Sequence, residues 1–235
     1  MVLKKNTVLT LSAVFLVCVL FSGICVSSIG SKKTAQKLPT IIVDAGHGGA
    51  DGGAVANDGT AEKVINLQIA KKVESLCRLF GYDVIMTRQD DDAVCDEGLS
   101  TLRQKKVSDI KNRFKLMQDN PDALFVSIHQ NKYSDSSQSG TQVFYSPNNS
   151  SSMFLAECIQ NSISSSLQPD NRRMTKKCGS SVYLLYHARS TAVMVECGFV
   201  SNDGELKKLK NEDYQKQMAL AIVSGINDYI SNEEV

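Results

Sequence analysis

The chain has 235 residues, of which 42% are hydrophobic and 22% are charged, so it can bury a core and is not a disordered protein. Lysine and arginine together number 26 and aspartate and glutamate 25, which leaves a net charge of +1. No block of like charge and no interleaving of basic and aromatic residues occurs, so no nucleic acid partner is expected.

The N-terminal residues have the pattern of an export signal. Lys4 and Lys5 precede an uncharged, mainly apolar stretch at 8–26, and small residues follow at 27–30. This stretch is long for the core of a signal peptide and just long enough to span a membrane, so a cleaved signal peptide and a membrane anchor both stay open. Either one predicts an exported protein, at the outer face of the cytoplasmic membrane or in the cell envelope, whose membrane contact is confined to this segment.

Residues 1–37 are therefore predicted to be a signal peptide or anchor plus linker, and residues 38–235 a single catalytic domain. Bounded apolar and β-branched runs predict six strands, at Thr40–Val43, Tyr82–Met86, Leu124–Ile128, Thr141–Tyr145, Val182–Leu185 and Ala192–Val195. Helical spacing of apolar residues predicts helices within 64–80, 155–163 and 219–229. This alternation predicts an α/β fold, a single layered domain with a mostly parallel sheet of about six strands, flanked by helices.

Seven cysteines raise the question of disulfides or a thiolate metal site. Two lie in the N-terminal apolar stretch, and those at 77, 95, 158, 178 and 197 are scattered without a CxxC pair. The sequence therefore disfavours a thiolate zinc site. It predicts that most of these cysteines are buried thiols and leaves their disulfide state open.

Three predicted strands end near a residue that titrates or binds metal. The first runs into Asp44 and then His47, the third into His129 and the last into Glu196. Ligands bind beyond the carboxyl ends of the strands in open α/β sheets, so these side chains are expected to converge there. Glu62 opens the helix after a glycine-rich loop, where a carboxylate is also favoured by the helix dipole alone.

Two histidines and one carboxylate form a ligand set of catalytic zinc sites, which keep one position open for water. Such a site polarises an amide carbonyl and needs a further carboxylate to move the proton. Glu196, at the end of a strand expected to be buried, is placed for that role. Spacing alone makes this a weak motif, because the residues are far apart in the sequence.

A family resemblance makes the prediction specific. Four segments are similar, in order, to the zinc-dependent N-acetylmuramoyl-L-alanine amidase family: IIVDAGHGGADGGA, AEKVINLQIAKKV, LFVSIHQNKYSDSSQSGTQVFY and VMVECGFVSND. The resemblance implies Zn²⁺ held by His47, Glu62 and His129, with Glu196 as the catalytic carboxylate. It also implies that the substrate is peptidoglycan, cleaved at the amide between muramic acid and the L-alanine of the peptide stem.

Further segments resemble the sporulation-specific cortex amidases within that family: RQKKVSDIKNRFKLMQ, GTQVFYSP, NRRMTKK and VECGFVSN. This implies removal of peptide stems in the spore cortex, the first step towards the muramic-δ-lactam needed for germination. Two positions depart from the usual family pattern, with Thr191 where proline is frequent and Gln130 where a small residue follows the SIH motif. The second departure leaves the contacts near the metal open.

Four residues are candidates for substrate binding or for support of the ligands: Asp44, Arg88, Gln130 and Asn131. Asp44 either steadies His47 or simply ends its strand. Arg88 either meets an acidic peptide stem or is an ordinary surface arginine. The glycines at 46–53 match no nucleotide-binding motif and are expected to bring the backbone close to the metal.

The sequence leaves other functions open beside the amidase. His187 and Cys197 together suggest a thiol hydrolase, although a plain loop histidine is the more ordinary interpretation. Another zinc hydrolase of the wall, such as a carboxypeptidase or deacetylase, shares the ligand chemistry. A non-catalytic wall-binding protein has no need of a buried Glu196 beside a metal. Because no wall-binding repeats are visible, an envelope accessory protein is an expected partner.

Overall fold

The computed structural model describes residues 38–233. The predicted signal peptide or anchor at 1–37 lies outside the described residues. Within the described part of the chain, no helix combines the length and the apolar character needed to cross a membrane.

The domain alternates strands and helices along most of its length. In chain order the elements are β1 (Ile41–Ala45), α1 (Glu62–Leu79), β2 (Val84–Met86), α2 (Leu102–Asp119), β3 (Leu124–Asn131), β4 (Gln142–Tyr145), α3 (Ser150–Ser166), β5 (Lys176–Lys177), α4 (Tyr183–His187), β6 (Ala192–Phe199), α5 (Asp203–Leu209) and α6 (Glu212–Glu233).

The six strands form one sheet in the order β2-β1-β3-β6-β4-β5. The neighbouring pairs among β2, β1, β3 and β6 are parallel, whereas β4 runs antiparallel to β6 and β5 is parallel to β4. The predicted α/β fold with a mostly parallel, six-stranded sheet is confirmed. In the register of β3 and β6, His129 lies opposite Glu196, so these two predicted site residues are neighbours across the sheet.

Successive strand residues enter two hydrophobic cores on opposite faces of the sheet. Ile41 and Val43 join the core built with α1, α3 and α6, whereas Ile42 joins the core built with α2 and α4. Side chains alternate between the faces of a strand, and here both faces are covered. This explains why the central strands are continuous apolar runs in the sequence.

The prediction of a strand at Val182–Leu185 was wrong, because these residues lie at the start of α4, where Leu184 and Leu185 are buried. A short apolar run does not distinguish a buried strand from one turn of buried helix. The remaining strand of the sheet is β5, whose two exposed lysines carry no apolar pattern.

Helix α2 was not predicted, because its buried residues are only Ser108, Arg113 and Met117, too few for a clear apolar stripe. A start signal was nonetheless present. Thr101 and Gln104 form a capping box, a motif that marks the first turn of a helix.

The prediction of buried thiols holds for three of the cysteines in the described range. All five cysteines there are free, with Cys77, Cys178 and Cys197 buried and Cys95 and Cys158 partly exposed.

The contact between α3 and α6 depends on Gly225. A Cβ added at this position would lie 2.5 Å from Ile159 Cα and 2.8 Å from Ile159 N. Because these neighbours are backbone atoms of a packed helix, they cannot move aside without shifting α3. Gly225 therefore allows the two helices to approach closely.

Gly225→Ala is expected to lower the free energy of unfolding by about 1–3 kcal/mol, the cost of overpacking. Helix propensity alone would raise the free energy of unfolding, since alanine is favoured over glycine in a helix by about 1 kcal/mol. Chemical denaturation measures the change, with the exposed Asp228→Ala on the same helix as control. A Gly225→Ala protein at least as stable as the parent would contradict this packing.

Candidate active site

The loop that follows β1 carries His47 in a left-handed backbone conformation, with φ 62°. Two glycines of this loop lie against the site. A Cβ at Gly46 would come within 2.2 Å of His129 Nε2, and one at Gly53 within 2.6 Å of both Glu62 Oε2 and His47 Cδ2. The glycines therefore let the backbone approach the candidate ligands.

Glu62, the first residue of α1, is 3% exposed, and both of its carboxylate oxygens have polar partners. Oε1 lies 2.9 Å from His129 Nδ1 and accepts from the Gln130 amide at 3.0 Å. Oε2 accepts from the Ala54 amide at 2.8 Å and lies 3.3 Å from His47 Nε2. Burial opposes ionisation, but hydrogen bonds and charges from the two histidines hold the pKa of Glu62 well below its usual range.

His47, Glu62 and His129 thus form one group, in which one potential ligand atom from each residue lies within 4.8 Å of the others. The two imidazole rings meet edge to face, with centroids 4.9 Å apart. The members come from the glycine loop, the start of α1 and the end of β3. The structure thus brings His47 and His129, which the sequence placed at the carboxyl ends of strands, next to Glu62, which it placed at the start of a helix.

The second ring nitrogen of His47 is held by Asp51, whose Oδ2 lies 3.0 Å from Nδ1. Asp51 also pairs with Lys106 at 2.8 Å. Burial lowers the pKa of His47, but the hydrogen bonds and charges of Glu62 and then of Asp51 outweigh it and raise the pKa to about 9. A carboxylate on the outer nitrogen fixes the tautomer and orientation of a metal-binding histidine.

Asp51 was missed by sequence reasoning, which considered Asp44 instead. A tight turn returns Asp51 to His47, because Gly48 and Asp51 exchange backbone hydrogen bonds of 3.0 Å. The available signal was an acidic residue within the same glycine loop as the histidine, and this signal is weak without the turn geometry.

Asp44 acts on His47 through Arg113 rather than directly. It is 1% exposed, forms a buried ion pair with the Arg113 guanidinium and accepts from the Thr87 and Ser127 hydroxyls at 2.9 and 2.5 Å. The same guanidinium donates to the carbonyl oxygen of His47 at 2.8 Å. Asp44 therefore anchors the arginine that holds the backbone of His47.

Arg88 is not a surface arginine, since it is 6% exposed. Its guanidinium donates to the carbonyl oxygens of Ala45 at 2.9 Å, Gly46 at 3.2 Å and Lys63 at 2.8 Å. These contacts join the glycine loop to the first turn of α1, so Arg88 stabilises the position of the loop.

Gln130 and Asn131 contact neighbouring segments through different groups. The buried side chain of Gln130 donates to Asn66 Oδ1 at 3.2 Å. The backbone N–H of Gln130 donates to Glu62 Oε1. The carbonyl of Asn131 accepts from the Val200 amide at 2.8 Å. Gln130 thus helps to position Glu62, and Asn131 joins the end of β3 to the segment after β6.

Glu196 lies on β6, beside the group of His47, Glu62 and His129. Its Oε2 is buried and has no hydrogen-bond partner among residues 38–233. Burial raises the pKa of Glu196, the His129 charge lowers it and the Glu62 charge raises it, with a result of about 7. A carboxyl group with this pKa can both accept and release a proton near neutral pH.

A cavity of about 410 Å³ opens in front of these residues. The residues that line it are Asp44, Gly46, His47, Asp51, Lys106, Asp109, Ile110, Arg113, His129, Ser181, Val182, Tyr183, Leu184, Met194 and Glu196. One of its walls is supplied by helix α2, which the sequence did not predict, and by helix α4, which the sequence assigned as a strand.

The alternative thiol hydrolase is not supported. His187 stacks at a tilt against Tyr183, with ring centroids 4.4 Å apart, and it is exposed on α4. Cys197 is fully buried, and burial raises the pKa of its thiol, which disfavours a thiolate nucleophile.

Known proteins are similar to this chain in sequence and in fold. The chain is 32% identical over 193 residues to the germination-specific N-acetylmuramoyl-L-alanine amidase of Bacillus subtilis, which covers 82% of this chain and 80% of that protein. The CwlD amidase of Clostridioides difficile, solved in complex with the GerS lipoprotein, matches with a TM-score of 0.80 and 40% identity, over 83% of this chain and 99% of that one.

A second solved structure, an N-acetylmuramoyl-L-alanine amidase from Clostridium difficile 630, matches with a TM-score of 0.71 and 29% identity, over 83% of this chain and 98% of that one. The family model described as N-acetylmuramoyl-L-alanine amidase matches residues 41–228. The chain therefore belongs to the N-acetylmuramoyl-L-alanine amidase family and is an enzyme of that activity.

Proposed function

We propose that this amidase is zinc-dependent, with Zn²⁺ held by His47, Glu62 and His129 and with Glu196 as the catalytic acid and base. The observation that carries the proposal is the grouping of three potential ligand atoms within 4.8 Å, beside a buried carboxylate oxygen without a partner among the described residues. The scissile bond is the amide between the muramic lactyl group and L-alanine of peptidoglycan.

The donor set fits zinc. Two imidazole nitrogens and one carboxylate form a known catalytic zinc set, and the charge of Glu62 offsets part of the charge of the cation. In the metal-free protein a proton on His47 stabilises the contact with Glu62, because the pKa of His47 is raised to about 9. A cation takes the place of that proton, so its binding is expected to release a proton at neutral pH.

When bound, zinc supplies Lewis acidity that polarises the amide carbonyl and acidifies water. Glu196 is the only proposed acid or base that is not also a ligand. Its carboxylate accepts a proton from water during attack on the carbonyl and then donates it to the departing amine of L-alanine. Asp51 keeps the His47 ring turned towards Glu62 during these steps.

We further propose a role in the spore cortex, where removal of stems is the first step to muramic-δ-lactam. This is supported by similarity to a germination-specific relative and to the CwlD amidase. Carboxypeptidase and deacetylase activities share the metal chemistry, so product analysis must separate them from amide cleavage.

An envelope accessory protein is also proposed as a partner. The support is that the related CwlD amidase of Clostridioides difficile was solved together with the GerS lipoprotein.

Loss of one ligand should remove the metal. His129→Ala is expected to lower bound zinc from about one ion per chain to near zero, because the remaining ligands leave an incomplete shell. His187→Ala is the matched control, since it removes the third histidine of the chain, outside the group. Elemental analysis of both purified variants measures the difference, and a full zinc complement in His129→Ala would exclude that residue from the site.

Glu196→Gln should affect the chemistry and leave the metal in place. The amide cannot exchange the catalytic proton, so turnover is expected to fall by about 100-fold or more. Zinc content and the thermal unfolding midpoint should match the parent, and the exposed Glu212→Gln should keep full turnover. Parental turnover in Glu196→Gln would rule out its catalytic role.

A single digest identifies the bond that is cut. Purified enzyme, with any partner it requires, should release intact stems beginning with L-alanine from cortex peptidoglycan, as measured by mass spectrometry. Terminal amino acids would instead indicate a carboxypeptidase, and acetate a deacetylase.

Cells that lack the protein should make cortex without muramic lactam, and normal lactam in a clean deletion strain would contradict the cortex role.

A further inference from the structure

Helix α2 contributes Lys106, Asp109, Ile110 and Arg113 to the cavity wall, and Phe114, which is not part of the wall, contacts Tyr183. Lys106, Ile110 and Phe114 are spaced four residues apart and so share one face of the helix. At a rise of 1.5 Å per residue, Lys106 and Phe114 are about 12 Å apart along the axis. Lys106 pairs with Asp51 at one end, and Phe114 contacts the ring of Tyr183 on α4 at the other.

Tyr183 is an exposed residue of the cavity wall, and two neighbouring rings hold its ring in place. The residue is 42% exposed and lines the cavity. Its ring packs edge to face on Phe114, with centroids 5.6 Å apart, and at a tilt on His187 at 4.4 Å. Such contacts position an aromatic ring before a ligand arrives, which lowers the entropy lost on binding.

The cavity wall includes four apolar side chains besides Tyr183, and Asp109 and Arg113 of α2 add charged groups to it. Val182 and Leu184 precede and follow Tyr183, Met194 comes from β6 and Ile110 from α2. A carboxylate placed against these apolar side chains would lose water without gaining a charged partner from them, which is costly. A ligand with an apolar, neutral face suits them better.

The substrate has two parts of different charge on either side of the scissile amide. The stem carries carboxylates, whereas the pyranose rings of the glycan present faces of C–H groups. These groups pack on the electron-rich face of an aromatic ring. The cation of Lys106 and the ring of Tyr183 therefore match opposite parts of one substrate.

We propose that Tyr183 forms a saccharide subsite, on which a pyranose ring of the glycan strand stacks while the peptide stem extends towards Lys106. This rests on the proposed function for the position of the scissile amide. It adds the orientation of the substrate in the cavity and a residue that determines specificity for glycan.

The test measures saccharide binding separately from amide cleavage. The full chain, loaded with zinc, is titrated calorimetrically with a peptide-free tetrasaccharide of alternating N-acetylglucosamine and N-acetylmuramic acid, which lacks the amide that the proposed activity cleaves. Tyr183→Ala should weaken binding about tenfold, the loss expected for one stacked aromatic contact. Tyr183→Phe should keep the affinity within about twofold, because the ring remains.

Tyr186→Ala is the matched control, because Tyr186 lies on the same helix, is 41% exposed and is not among the cavity residues. It should keep the parental affinity. Tyr183→Leu preserves apolar bulk without a ring face and should lose affinity as Tyr183→Ala does. Equal thermal unfolding midpoints show that the variants are folded.

Unchanged saccharide affinity in Tyr183→Leu, or an equal loss in Tyr186→Ala, would overturn the proposal. Weaker binding of a free L-alanine-containing stem peptide, with saccharide binding unaffected, would place the peptide on Tyr183 and overturn it as well. Saccharide binding through Tyr183 in a protein that releases no stems would support the subsite and contradict the bond specificity of the proposed function.

Discussion

The carboxylate of Glu62 holds the site together, because it is a buried anion that needs donors from several segments at once. Burying a carboxylate is costly unless hydrogen bonds replace its water. Here the donors are both histidines, the amides of Ala54 and Gln130, and the side chain of Asn66. The glycine loop, α1 and β3 can satisfy this anion only in the arrangement that also gathers three potential metal ligands.

A second buried charge network holds the loop in this arrangement. Arg113 reaches from α2 to the carbonyl of His47, and its charge is balanced by Asp44 and Asp109. Arg88 binds the adjacent carbonyls of Ala45 and Gly46. Removing one partner of such a network leaves an unpaired buried charge, so these residues contribute to the geometry of the site without touching the proposed zinc position.

The sequence predicted the layered α/β fold because its central strands are buried on both faces and therefore appear as continuous apolar runs. Convergence of His47, His129 and Glu196 followed from their positions after parallel strands. Glu62 could be interpreted as a helix-start charge or as a ligand, and the structure shows that one position serves the N-terminus of α1 and the histidines together.

Other features depend on local turn geometry or on contacts between distant segments and were not predictable. Asp51 reaches His47 through a turn, and Asp44 acts through an arginine on a helix that has little apolar pattern. The short helix α4 resembled a strand because a run of apolar residues fits either structure. As a result, the part of the cavity wall that α4 supplies, including Tyr183, was found only from the structure.

The central claim is that the residues gathered around Glu62 bind zinc. Anomalous diffraction at the zinc absorption edge, from crystals of the zinc-loaded protein, tests it most directly. The account predicts one anomalous peak within about 2.0–2.2 Å of His47 Nε2, His129 Nδ1 and a Glu62 oxygen, the ordinary zinc bond lengths to these atoms. A peak bound by other residues, or no peak in protein that hydrolyses the amide, would contradict it.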